Sequence, residues 1–376
     1  MKNQPKVALV CDWLTNVGGG EKVLLAFHEI YKDAPIYTSK YLPKKIDWFK
    51  DADVRTGWIK IFPACLRRFI GPLRQFWFKH LNLSEYDIVI SVTGAEAKFV
   101  RAKNGIHICY CHVPTQYYWG MYDDYIKNPG FGILNPIVRF FFKLMVGPLR
   151  KADFKAAAKP DYYLTISKHA QAQIKKYYHR DSVIIAPGVE VDTFQEAFSE
   201  KPRVEDYFIV TSRQVNWKRL DVAIEACKKT NQRLLVIGTG PEHRKLVKLA
   251  GGSENIKFLP TMKKRKLAKY LASAKGYLFT SLEPFGIAPV EALAAGCPVI
   301  AFGEGGALDY VQDGKNGLLF KKQTADSLAA AIRKFEDMKF NRAAISRSAE
   351  PFARDRFDRD AAKFVENAEK AGKKAQ

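Results

Sequence analysis

The chain has 376 residues, enough for two domains of ordinary size that each bury a core. Hydrophobic residues make up 47% and charged residues 27%, a globular balance, and no apolar run approaches the roughly 20 residues needed to span a bilayer. Lys and Arg number 61 against 39 Asp and Glu, so the formal charge of +22 calls for a polyanionic partner, with nucleic acid and an anionic membrane surface as the two candidates.

In chain order, Lys6 to Leu14 reads as a first strand, too short and too quickly interrupted by Asp12 for a signal peptide. The glycines Gly18, Gly19 and Gly20 then lead into a helix from Glu21 to Tyr31. A strand, glycine loop and helix in that order open a Rossmann-like unit and leave backbone N–H groups free for an anion. The spacing is not G-x-G-x-x-G, and a tight turn that needs glycine accounts for it equally well. Short apolar runs follow at 36–39, 54–58, 87–92, 106–111, 162–166 and 183–186, separated by helical or loop segments. Such alternation predicts a mainly parallel sheet with helices on both faces.

Two segments of this half are basic and aromatic and contain no acid. Residues 54–84 carry Arg55, Lys60, Arg67, Arg68, Arg74 and Lys79, and residues 125–152 carry Lys127, Arg139, Lys143, Arg150 and Lys151. Apolar residues recur at helical spacing in both, with Pro72 expected to kink or divide the first helix. Core helices with solvated cations would explain either alone. Two in one domain fit better with a bilayer surface, where each Lys or Arg is worth about 1 kcal/mol. Arg67, Arg68, Arg74, Arg139 and Lys143 are the residues assigned to it.

His112 ends the strand at 106–111, just before Pro114, so it is expected at the carboxyl edge of the sheet, where ligands gather. A lone His is more often structural. Six Cys occur without paired-doublet spacing, and Cys109 and Cys111 point to one face of a strand; they read as reduced core residues. Asp51-x-Asp53 precedes a strand and Asp123–Asp124 falls in an expected polar loop. Neither makes a metal site, and no His/Asp/Glu cluster has ligand spacing.

Beyond a charged, Pro-containing connection at 195–206, a second Rossmann-like unit begins at Tyr207 to Thr211. Arg213 and Lys218 follow that strand, on a loop entering a helix from Leu220 to Lys228; placed there, two cations suit a diphosphate. The next strand ends in a turn at Gly238 and Gly240, and 255–260 is another short strand. A very basic amphipathic helix, 262–274, reads as a solvated face. A buried strand from Gly276 to Ser281 then passes through Glu283, Pro284, Phe285, Gly286 and Ile287 into a helix of small residues holding Glu291, before a strand at 297–302. A helix N-terminus at the end of a strand is an anion site, so the carboxylates beside it must serve hydroxyls, a cation or a proton transfer. Helical segments near 324–338 and 341–349 and a helical tail from 352 complete the chain.

Glu283 and Glu291, eight residues apart around Pro-Phe-Gly, with Cys297-Pro-Val-Ile, Gly305–Gly306 and Asn316–Gly317 downstream, resemble retaining glycosyltransferases of the two-Rossmann-domain (GT-B) type, the family-four class. Ala186–Phe194 resembles that family's interdomain linker, and the wording around Cys111–Thr115 and Tyr117–Trp119 resembles its bacterial O-antigen and exopolysaccharide mannosyltransferases. The resemblance implies an α/β GT-B fold, two Rossmann-like domains whose parallel sheets face across a cleft. Residues 1–190 would be an acceptor-binding domain, 191–350 a nucleotide-sugar-binding domain, and 351–376 a helix packing back on the first.

It further implies a metal-independent hexosyltransferase with no cofactor beyond its nucleotide-sugar co-substrate. Arg213 and Lys218 would steady the departing diphosphate. Glu291 would bind ribose hydroxyls. Glu283, Phe285, Gly286 and Ile287 would hold sugar and phosphate, with Gly18–Gly20 and Gly238 nearby. His112 would touch the transferred sugar, while Trp119 and Tyr118 are acceptor-side candidates. Asp309 stands near where many members carry Glu. The preferred donor is GDP-mannose and the acceptor a polyprenyl-diphosphate-linked or other lipid-linked saccharide in cell-surface polysaccharide synthesis. The protein would be cytoplasmic and peripheral on the inner face of the membrane, with no nucleic-acid partner. A UDP-glucose or UDP-N-acetylglucosamine donor is the alternative within enzymes. A basic nucleic-acid-binding module and a noncatalytic scaffold are the alternatives of other classes.

Overall fold

A computed structural model describes residues 5–63, 70–127, 129 and 132–375; Arg67 and Arg68 lie outside them. The chain divides into an amino-terminal unit, formed by residues up to Pro187 together with those from Phe357 on, and a carboxyl-terminal unit, Gly188–Arg356.

Among the described residues, seven strands run through the first unit: β1 (Val7–Cys11), β2 (Ile36–Thr38), β3 (Val54–Arg55), β4 (Ile88–Thr93), β5 (Ile106–Cys111), β6 (Tyr162–Thr165) and β7 (Val183–Ile184). All pair in parallel, in the order β3-β2-β1-β4-β5-β6-β7. Every residue of β1 and β4 is buried, as the largely apolar runs VALVC and IVISVT suit strands covered on both faces. Helices α1 (Gly19–Ile30), α2 (Gly71–Lys79), α3 (Tyr122–Lys127), α4 (Asn135–Ala157) and α5 (Lys168–Tyr178) connect them.

The second unit repeats the plan with α6 (Val191–Ser199), β8 (Glu205–Thr211), α7 (Leu220–Lys229), β9 (Leu234–Ile237), α8 (His243–Ala250), β10 (Ile256–Leu259), α9 (Lys264–Ser273), β11 (Ala274–Phe279), α10 (Ile287–Ala294), β12 (Val299–Phe302), β13 (Gly317–Phe320), α11 (Ala325–Glu336) and α12 (Arg342–Arg347). Its parallel order is β10-β9-β8-β11-β12-β13. In both sheets the chain reverses its direction of winding beside the first strand, between β1 and β4 and between β8 and β11. Those are the switch points where doubly wound sheets open a crevice at their carboxyl edge.

Two local expectations are corrected. Pro72 sits in the first turn of α2, where its missing N–H costs no bond; the helical residues expected ahead of it fall on 64–69, outside those described. The same Gly-Pro-Leu-Arg words recur at 147–150 inside the 23-residue α4, which continues through Pro148. The connection expected at 195–206 is helical over its first part, because Val191, Phe194 and Ala197 give α6 a buried face. Asp123 and Asp124 open the short helix α3 and do not lie in a loop. The last helix, α13 (Arg354–Ala375), places Phe357 edge-on against Phe27 and Tyr110, at ring distances of 5.5 and 6.0 Å.

Candidate functional site

In the carboxyl-terminal unit, the switch point is closed by side chains from both of its strands. Lys218, in the short 3₁₀ turn after β8, forms an ion pair with Glu283, which follows β11. Ser281 Oγ donates to the same carboxylate oxygen at 2.6 Å, and Thr280 Oγ1 donates to the Lys218 carbonyl at 3.0 Å. Both members of the pair are about one-sixth exposed, so the contact is shielded yet open to a ligand. Arg213 lies exposed two residues past the end of β8.

The turn from Glu283 to Gly286 is held from beneath. The Gly306 N–H donates to the Glu283 carbonyl at 2.8 Å, and a Cβ on Gly306 would lie 2.3 Å from the Phe285 Cα, so no larger residue fits. Tyr310 adds its hydroxyl to the Phe285 carbonyl at 2.8 Å and its ring to the buried Phe285 ring at 5.6 Å. Gly286 then caps α10, whose first N–H groups open toward the turn. Glu291 is buried one turn further along, and Asp309 is half-buried at the end of the 3₁₀ turn that Gly305 begins. Gly238 follows β9, and its carbonyl accepts from Gln214.

The amino-terminal unit brings its own candidates together. Gly18 caps α1, and Gly19 and Gly20 are its first residues. Gly20 packs so close to His112 that a Cβ would lie 2.9 Å from the Nε2 atom. The His112 N–H donates to the Thr93 carbonyl at 2.9 Å, and the ring meets Tyr110 edge-on at 5.6 Å. Burial pushes the imidazole down to about 4, so at neutral pH it is an uncharged ring able to bond hydroxyls.

The residue that builds this edge went unseen in the sequence. Asp12, at the end of β1, spans the switch point to β4. Its carboxylate accepts the Thr93 hydroxyl at 2.8 Å and the N–H groups of Gly94 and Ala97 at 3.0 and 2.7 Å. The segment it fixes carries two buried ion pairs: Glu96 with Arg74 at 3.0 Å and Lys98 with Asp153 at 2.7 Å. Asp153 also accepts from Thr115, Trp119 and Tyr178. An aspartate beside Trp-Leu ahead of the glycine loop was the one available signal.

This network corrects part of the surface assignment. Arg74 is not a surface cation: it is buried, doubly bonded to Glu96 and stacked over Trp13. Its acid-free segment misled because the partner lies 22 residues away. Trp119 is half-buried, spends its indole N–H on Asp153 at 2.8 Å and stacks on Tyr177, while Tyr118 is buried. Arg139 donates to the carbonyls of Ile126 and Lys127, which ties α3 to α4, whereas Lys143 is exposed. Beside Lys143 lies an exposed apolar stripe: Ile137, Phe140, Phe141, Leu144 and Met145, with Phe140 and Leu144 each 66% exposed. Leu73 and Phe76 of α2, with Trp58 and Ile61, are exposed as well. No helix among the described residues is long and apolar enough to cross a membrane.

Residues 191–351 match the family described as glycosyl transferases group 1. The chain is 25% identical over 228 residues to the human alpha-1,3/1,6-mannosyltransferase ALG2, covering 52% of this chain and 55% of that protein. It is 23% identical over 362 residues to the alg2 protein of Schizosaccharomyces pombe, covering 81% and 68%. It therefore spans little more than half the length of the human relative. Among solved structures, Anabaena Alr3699/HepE in complex with UDP superposes with a TM-score of 0.69 at 20% identity, over 96% of this chain and 100% of that one. That likeness shows the shared GT-B fold.

Proposed function

We propose that the protein is a retaining glycosyltransferase that uses a nucleotide-diphosphate sugar, a reading supported by the match of residues 191–351 to the family described as glycosyl transferases group 1. The observation that carries this reading is the Lys218–Glu283 pair at the switch point, set beside the N-terminus of α10 and the exposed Arg213. On binding, the donor's diphosphate draws Lys218 toward itself and takes Arg213 and the α10 N–H groups as further donors. Glu283, released from part of its ion pair, accepts from sugar hydroxyls, and Glu291 accepts from the ribose. As the bond from the anomeric carbon to the diphosphate breaks, fixed positive charge is already in place for the oxygen that gains it, so little reorganisation is needed. The acceptor oxygen bonds to the same face of that carbon and passes its proton to the departing phosphate. Neither Glu moves a proton in this scheme. His112, held neutral, offers the sugar a bonding partner and not a charge.

Mannose from GDP-mannose is the donor of choice; that the ALG2 relatives are mannosyltransferases supports the sugar. A UDP-hexose is the second reading, prompted by the UDP complex of similar fold. The acceptor is a lipid-linked saccharide at the inner face of a membrane, and the apolar stripe of α4 with Lys143 supports that location. The test is turnover with a panel of nucleotide sugars. Glu283→Ala and Arg213→Ala are expected to lower transfer by at least about 100-fold while leaving the unfolding transition in place. Near-normal turnover in either would sink the site assignment.

A further inference from the structure

Gln214, the residue after Arg213, is fully buried, and the donor scheme above makes no use of it. Its side-chain N–H donates to the Gly238 carbonyl at 2.7 Å. Its side-chain oxygen accepts from Nδ1 of His243, also at 2.7 Å. Its backbone N–H donates to the Thr239 carbonyl at 2.9 Å, and its backbone carbonyl accepts from Glu242 at 3.0 Å. One residue thus makes four bonds from the loop after β8 to the segment Gly238–His243 after β9. His243 begins α8, and its ring is steadied edge-on against Phe258 of β10 at 5.4 Å.

A buried position that only filled space would favour an apolar side chain. Desolvating a primary amide is unfavourable unless its donors and acceptor are met. Here one N–H and the oxygen are met, by the Gly238 carbonyl and by His243, directly after the exposed Arg213. We infer that Gln214 is a positioning residue for the donor diphosphate, holding the Arg213–Lys218 loop and the Gly238–Gly240 turn in the register that lets both address one ligand. His243 acts through Gln214 by fixing the orientation of the amide. The inference rests on the donor placement proposed above.

The test is a calorimetric titration of the whole protein with GDP and with UDP, accompanied by steady-state kinetics. Gln214→Met keeps the volume and loses both side-chain bonds; it is expected to weaken diphosphate affinity and raise the donor KM about tenfold, with the acceptor KM unchanged. His243→Ala is expected to weaken the nucleotide about threefold, and the double variant to be no worse than Gln214→Met alone. A folded Gln214→Met protein that binds within twofold of wild type overturns the inference, as does full additivity in the double variant. Should Gln214→Met fail to fold, wild-type affinity in His243→Ala overturns it. Arg213→Ala runs alongside: if it too binds like wild type, what fails is the placement of the diphosphate at this edge, and Gln214 falls with it.

Discussion

The two units use the same sheet plan, and each closes its own switch point in a different way. At the switch point of the amino-terminal unit, Asp12 ties β1 to the segment after β4, and two ion pairs behind it are almost wholly dry. At the switch point of the carboxyl-terminal unit, Lys218 reaches from the β8 side to Glu283 after β11, and that pair is partly wet. Removing one partner from a dry pair leaves an uncompensated charge with no water to solvate it, whereas a partly wet pair can be opened by solvent or exchanged for a ligand. The first arrangement therefore holds structure, and the second is available for chemistry.

The sharpest way to break that comparison is to delete one member on each side. Asp153→Ala strands Lys98 and leaves the Trp119, Tyr178 and Thr115 donors without their acceptor; a stability loss of about 3–5 kcal/mol is expected in urea unfolding. Lys218→Ala is expected to lose less than about 1 kcal/mol of stability while turnover collapses. The contrast fails if the two variants unfold alike.

A smaller effect concerns the outside of the amino-terminal unit. Phe140→Ser with Leu144→Ser interrupts the exposed stripe of α4. Sedimentation with anionic vesicles is expected to weaken at least about tenfold, since each such side chain gains about 1.5 kcal/mol or more on leaving water. Unchanged sedimentation would remove the stripe from the membrane account.

A last effect concerns acid. Burial, helped by the charge of Lys159, pushes His107 down to about 3. The unfolded imidazole titrates near 6.5, so below that pH the unfolded state binds the proton that the folded state refuses. Stability from this group is complete at neutral pH and is lost as pH falls from about 6.5 toward 3, by about 3 kcal/mol at pH 4.5. His107→Leu is expected to flatten that slope in urea melts at pH 7 and 4.5. An equally steep loss would assign the acid sensitivity to other groups, such as His112.

The same contrast explains what the sequence could reveal. The carboxyl-terminal site is legible because its members are near neighbours in the chain: Glu283, Phe285, Gly286 and Glu291 occupy a single turn and helix, and Gly306 sits beneath them for a steric reason that its doublet announces. The strand alternation was enough to place Gly20 and His112 at one sheet edge. Arg74 was misread because its partner, Glu96, comes from another element, and a count of acids within a segment cannot see across the fold. Gln214 and Asp12 escaped for the same reason, since each matters through bonds to a neighbouring loop. The exposure of Phe140 and Leu144, too, depends on which face of α4 the sheet leaves uncovered, and helical spacing alone cannot say which.

The central claim is that a nucleoside diphosphate sits at the carboxyl edge of the second sheet. Diffraction from crystals grown with GDP or UDP tests it most directly. The account predicts diphosphate oxygens within hydrogen-bond distance of Arg213, Lys218 and the first N–H groups of α10, with ribose hydroxyls on Glu291. A diphosphate bound away from these groups, or a Glu291 that faces no hydroxyl, would contradict it.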